Sequence, residues 1–139
     1  MLGTNDSSIS RNVLPDEYKS NLQTMVDGLK SIGVKKIILN RPPYVLPTAV
    51  NHDDQALVKM AGYMEAIREL VDGETVLLGD IEAYNYFETN QNQLSDGIHP
   101  TPAGYQQLGT FWAEAYTRLL IDPYESGFAQ FITNGNQHT

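Results

Sequence analysis

The sequence contains no cysteine. Disulfides, thiolate metal sites and cysteine nucleophiles are thereby excluded. No apolar run approaches the roughly 18 residues needed to cross a bilayer. The opening residues, Met1-Leu2-Gly3-Thr4-Asn5-Asp6, offer neither a basic nor an apolar leader segment, so no signal peptide is expected in this chain. Basic residues are scarce, with 9 Lys and Arg against 17 Asp and Glu and a formal net charge of -8. That surplus repels nucleic acid and anionic membranes, and neither is expected as a partner. There is no internal repeat, no Gly-rich phosphate loop and no Gly-x-Ser-x-Gly elbow. A flavodoxin-like signalling or nucleotide domain is disfavoured on the second of these absences.

What is present suits one small α/β domain in 139 residues, 41% of them hydrophobic. Gly3 to Asn12 is rich in turn residues and reads as loop. Pro15-Asp16-Glu17 opens a helix whose apolar positions are Tyr18, Leu22, Met25, Val26, Leu29 and Ile32, with Gly33 as its stop. Lys35 to Asn40 reads as a buried strand closed by Pro42 and Pro43. Tyr44 to His52 is loop. Asp53 and Asp54 precede a second helix, with Leu57, Met60, Ala61, Met64, Ile67, Leu70 and Val71 as its apolar face. Thr75 to Asp80 is a second strand, and Ile81 to Leu94 is mixed. Pro102 to Leu120 is a third helix with Tyr105, Leu108, Phe111, Trp112, Ala115 and Leu119 inward. The alternation predicts a short parallel sheet flanked by helices over residues 1–121, followed by a tail over 122–139. In such sheets, sites form in loops at the carboxyl ends of strands.

Two segments carry candidate chemistry. Asp96 and His99 lie three apart in Asp96-Gly97-Ile98-His99-Pro100, before a helix start. A carboxylate so placed can orient an imidazole that takes a proton from a nucleophile. The plainer alternative makes Asp96 a turn or capping residue and packs His99 on its own helix. Asn5, in Gly3-Thr4-Asn5-Asp6, carries an amide able to donate to an oxyanion, although Asn-Asp is also ordinary turn chemistry. His52 with Asp53 and Asp54 suits a helix N-terminus better than a metal site. Arg41 and Asp80 end strands near the expected site, as substrate contacts or as surface and structural charges. Tyr84, Tyr86 and Phe87 line a pocket or belong to the core.

Taken together, Gly-Thr-Asn-Asp, Ile-Ile-Leu-Asn-Arg-Pro-Pro, Val-Leu-Leu-Gly-Asp and Asp-Gly-Ile-His-Pro-Thr-Pro-Ala-Gly-Tyr resemble the SGNH (GDSL-type) hydrolase family, from Leu2 to about Leu120. The resemblance implies a truncated flavodoxin-like three-layer sandwich that cleaves acyl esters without metal or organic cofactor. It implies Asn5 as an oxyanion donor, Asp96 as the group orienting His99, and His99 as general base. The family's Gly-Asp-Ser nucleophile block and its glycine oxyanion block both precede Gly-Thr-Asn-Asp. Neither occurs in this sequence, which corresponds to the C-terminal part of the family domain. Ser7 and Ser8 are the candidates for a relocated nucleophile; the alternative makes them loop residues with local hydrogen bonds. Ser95 adjoins the acid too closely to serve the other side of His99.

The function expected is an esterase-type hydrolase acting on small, acetyl-like acyl esters, carbohydrate esters among them. The competing expectation is a catalytically impaired relative acting as a binding or structural module. The partner expected is a small-molecule ester. The strand at Lys35 to Asn40, deprived of its family neighbour, presents an open edge, so a homo-oligomer is also expected.

Overall fold

The computed structural model describes residues 2–123. Met1 and positions 124–139 of the expected tail lie outside the described residues. Helix α1 spans Pro15–Ser31 and strand β1 spans Ile37–Leu39. Helix α2 follows over Asp54–Leu70, then strand β2 over Val76–Leu78. A short helix α3 covers Ala83–Thr89, and α4 runs over Pro102–Tyr116 before widening into a π-helical turn at Thr117–Ile121. Among the described residues, no helix is long and apolar enough to cross a membrane.

The two strands pair in parallel, Ile37 with Val76, Ile38 with Leu77 and Leu39 with Leu78. The fold is therefore α/β with a short parallel sheet, as the alternation predicted. Side chains alternate across a sheet. Ile37, Leu39, Val76 and Leu78 face the helices α1 and α2, where they join the cores around Val26 and around Tyr18, Met60 and Tyr63. Ile38 faces the other way and, with Leu2, Arg41 and Trp112, lines a groove along the strand edge that β2 leaves open.

Helices α1 and α2 approach closely. Tyr18 and Tyr63 stack with ring centroids 4.0 Å apart and planes inclined by 18°. Gly62 permits the approach, since a Cβ there would lie 2.5 Å from the Pro15 Cγ. Burial pushes the Tyr18 hydroxyl up to about 12, with the charge of Asp6 adding to it.

Several expected inward residues are not buried. Met25 is 50% exposed, Ile32 77%, Tyr105 50% and Trp112 38%. Helix α1 buries one narrow stripe, Tyr18, Leu22 and Val26, against α2 and the strands, and α4 buries Leu108 against Tyr44, Ala83, Phe87 and Leu94; the apolar positions beside each stripe are left exposed. The mixed segment Ile81 to Leu94 contains α3, which lacks an N-cap side-chain bond of its own. The buried Asp80 does that work instead, accepting from the amides of Glu82 at 2.9 Å and Ala83 at 3.3 Å.

Gly62→Ala should lower stability by roughly 1–3 kcal/mol through overpacking against Pro15. Gly28→Ala, at an open helical position with no neighbour within 4 Å, should raise it by about 0.5–1 kcal/mol. Urea unfolding of both variants checks this pair, and equal midpoints would contradict the helix packing described.

Candidate active site

The loop before α4 is held from both ends. Leu94 and Pro100 form an antiparallel bridge, and the Ser95 amide donates to the His99 carbonyl at 2.8 Å. Gly97 takes φ of +84°, a conformation that favours glycine. A Cβ there would also sit 2.9 Å from that of Ala49. Inside this turn, one carboxylate does two things. Asp96 Oδ1 accepts the amides of Ile98 at 2.9 Å and His99 at 2.7 Å. Asp96 Oδ2 lies 2.7 Å from His99 Nδ1. Asp96 thus caps the turn through one oxygen and contacts the imidazole through the other.

A neutral His99 ring in this arrangement donates Nδ1–H to Asp96 and keeps a lone pair at Nε2. Among the described residues Nε2 has no hydrogen-bond partner, and the side chain is 66% exposed. His99 does not pack against its own helix. The His99 amide, then the His99 ring, then the Ile98 amide hold the Asp96 carboxyl well below the usual carboxylate range.

The Gly3–Asn12 loop begins with Gly3 at φ of +104° beneath Pro42. Asp6 Oδ2 accepts the Gly3 amide at 2.9 Å. Asn5 is exposed, and its side-chain amide has no partner among the described residues. Ser7 is 0% exposed and its hydroxyl donates to the Thr4 carbonyl at 2.8 Å. Ser8 is 4% exposed and donates to the Asn5 carbonyl at 2.7 Å. Neither is hydrogen-bonded to His99. As placed, both hydroxyls are turned into the loop rather than presented to a substrate. Ser95 Oγ donates to the His99 carbonyl at 3.0 Å, not to the ring.

The two loops meet through a third. The Gly97 carbonyl accepts the Leu46 amide at 2.8 Å. Six residues further on, His52 Nε2 lies 3.3 Å from the Thr4 carbonyl. The Tyr44–His52 segment, which follows β1, therefore touches both the Asn5 loop and the Asp96–His99 loop. The open groove along β1 is elsewhere; Asn5, Asp96 and His99 do not line it.

The remaining candidates divide. Arg41 donates its amide to the Asp80 carbonyl at 3.2 Å and carries a buried Nε with no partner among the described residues. Asp80 is structural, and burial raises its carboxyl above the ordinary value. Phe87 is fully buried, and Tyr84 and Tyr86 pack on its cluster. Asp53 caps α2 by accepting the Gln55 amide at 3.0 Å. Among the described residues, no group of three or more His, Asp and Glu is arranged to hold a metal ion. Sequence reasoning missed Lys59, which is 7% exposed and reaches Ser8 and Asn12. It shares the inward stripe of α2 with Ala56, Met60 and Tyr63, and its partners lie too far away in sequence for a local pattern to reveal them.

The model of the GDSL-like Lipase/Acylhydrolase family matches residues 1–107. The chain belongs to this family. It is also similar to the crystal structure of a lipase/acylhydrolase from Enterococcus faecalis, with a TM-score of 0.61 and 24% identity. That match covers 82% of this chain and 57% of the other, so the chain spans less than two thirds of its relative. No curated protein matches the chain. In the family frame, the Asp-x-x-His segment and Gly-Thr-Asn-Asp lie on loops joined by the Tyr44–His52 segment.

The Asp96 shift fixes a pH dependence. A depressed native carboxyl contributes stability that is present above the unfolded value, near 3.9. That contribution is lost as pH falls through the native value. A carboxyl-detected NMR titration should find Asp96 still ionised at about pH 3.9. A midpoint at or above that value would show that the turn does not hold the carboxylate as described.

Proposed function

We propose that the chain is an ester hydrolase acting on small, acetyl-like acyl esters, acetylated carbohydrates among them. The observation that carries this reading is the 2.7 Å contact between Asp96 Oδ2 and His99 Nδ1, which leaves Nε2 unpartnered among the described residues. In this mechanism Nε2 takes a proton from a water as its oxygen bonds to the acyl carbon. The carbonyl oxygen becomes an oxyanion, and the Asn5 amide donates to it. Collapse breaks the bond to the alcohol oxygen, which takes the proton back from His99 Nε2. Ester and water become acid and alcohol, with no metal or cofactor. Water fills the nucleophile's role because Ser7 and Ser8 spend their hydroxyls on backbone carbonyls. A neutral substrate is compatible with the net charge of -8, which disfavours anionic esters.

Hydrolysis of p-nitrophenyl acetate tests the reading. The native chain should exceed the buffer rate, and acetyl esters should outrun longer acyl esters. His99→Ala should lose on the order of 10²-fold, and Asn5→Ala a comparable factor. A fluorophosphonate should label neither Ser7 nor Ser8; an adduct on either would make that serine the nucleophile in place of water. A native rate equal to buffer would favour the binding-module alternative, which the buried serine hydroxyls also suit.

A further inference from the structure

The exposed Asn5 sits in a loop that is held by side chains far away in sequence. Three of them come from the end of the Tyr44–His52 segment and from α2. Asn51, in the left-handed region at φ of +62°, accepts the Ile9 amide on its carbonyl at 2.8 Å and the Ser10 amide on Oδ1 at 3.1 Å. His52, 8% exposed, places Nδ1 2.9 Å from the Val50 carbonyl and Nε2 3.3 Å from that of Thr4. Lys59 places Nζ 3.1 Å from Asn12 Oδ1 and 3.4 Å from the Ser8 carbonyl.

We propose that His52 and Lys59 are positioning residues that aim Asn5, a role that rests on the hydrolase reading above. The Thr4 carbonyl and the Asn5 N–H belong to one planar peptide unit. Both His52 ring nitrogens face carbonyl oxygens, and a neutral ring donates to one of them only; with the proton on Nε2, the bond to the Thr4 carbonyl sets the plane from which the Asn5 side chain departs. The Ser7 hydroxyl occupies the other acceptor position of the same oxygen. Rotating this peptide would break both bonds inside a buried pocket, where an unpaired polar group costs more than in water.

Lys59 secures the far side of the loop. Among the described residues it forms no ion pair. A buried ammonium lacking a carboxylate depends on neutral oxygens for its solvation. Here those oxygens are Ser8 O and Asn12 Oδ1, so the loop and the lysine hold each other. Asn12 is itself in the left-handed region at φ of +47°, and its amide donates to the same Ser8 carbonyl. His52 has a second consequence, because its segment also carries the Leu46 amide that holds Gly97. One stretch of chain thus fixes the distance between the Asn5 loop and the Asp96–His99 loop.

The test has two arms. Imidazole ¹⁵N NMR of the native chain should show a proton on His52 Nε2. A bare Nε2 would overturn the link to Thr4 at once, without any variant. In the second arm, His52→Leu and Lys59→Met should shift the Asn5 backbone and side-chain amide signals while leaving the His99 ring signals in place. His52→Gln, whose amide N–H can stand in for Nε2–H, and Lys59→Arg should restore the Asn5 signals. With p-nitrophenyl acetate, kcat should fall by on the order of tenfold to a hundredfold in the first two variants, with KM unchanged. The conservative pair should recover it. Unmoved Asn5 signals in His52→Leu, or a loss shared equally by His52→Gln, would overturn the proposal. A native chain without turnover would sink the hydrolase reading alone, and the NMR arm would still decide whether His52 orients Asn5.

Discussion

The close approach of α1 and α2 is the constraint on which the rest of this structure depends. The parallel sheet is only three residues long in each strand, too little to organise a domain through strand pairing alone. Instead Gly62 admits Pro15, Tyr18 stacks on Tyr63, and Leu22, Met60, Ala66 and Ile67 close around them. Aromatic stacking of this kind adds roughly 0.5–1.5 kcal/mol beyond the area buried. The same contact sets the loop that enters α1. Tyr63 donates its hydroxyl to the Val13 carbonyl, and Lys59, one helical turn earlier, reaches Ser8 and Asn12. The position of Asn5 is thus a by-product of helix packing.

The loops at the sheet's other junctions are organised by aspartates that accept backbone amides. Asp72 Oδ1 takes three, from Glu74, Thr75 and Val76. Asp80 takes those of Glu82 and Ala83, and Asp96 those of Ile98 and His99. Among these three, Asp96 alone spends its second oxygen on an imidazole. Environment separates them further. Asp80 is buried and its carboxyl is raised, whereas Asp96 is exposed and its carboxyl is lowered by its donors. An ordinary turn device acquires chemical potential when a histidine falls three positions later on the same turn.

That locality explains what was legible in the sequence. The Asp96–His99 pair and the helix α1 depend on neighbours within one turn, and their residue patterns state them directly. The parallel strands followed from short β-branched runs between helical periods. Lys59 was not legible, because its partners lie 47 and 51 positions away. His52 could be set aside as a metal ligand, yet nothing local showed that its ring meets the Thr4 carbonyl. The exposure of Trp112 and Met25 was equally hidden, since burial depends on how many layers surround a helix. Helix α3 escaped notice because its start is capped by Asp80, which belongs to the preceding strand's end.

The antiparallel bridge between Leu94 and Pro100 has one more consequence. It closes a very short ring of chain around Asp96, and short rings cost little conformational entropy to close. The carboxylate–imidazole contact is therefore a local one, between residues three positions apart. The Thr4–His52 contact joins residues 48 positions apart. The contact of Asp96 with His99 is thus closed within a single turn, whereas the loop that carries Asn5 is held by residues distant in sequence.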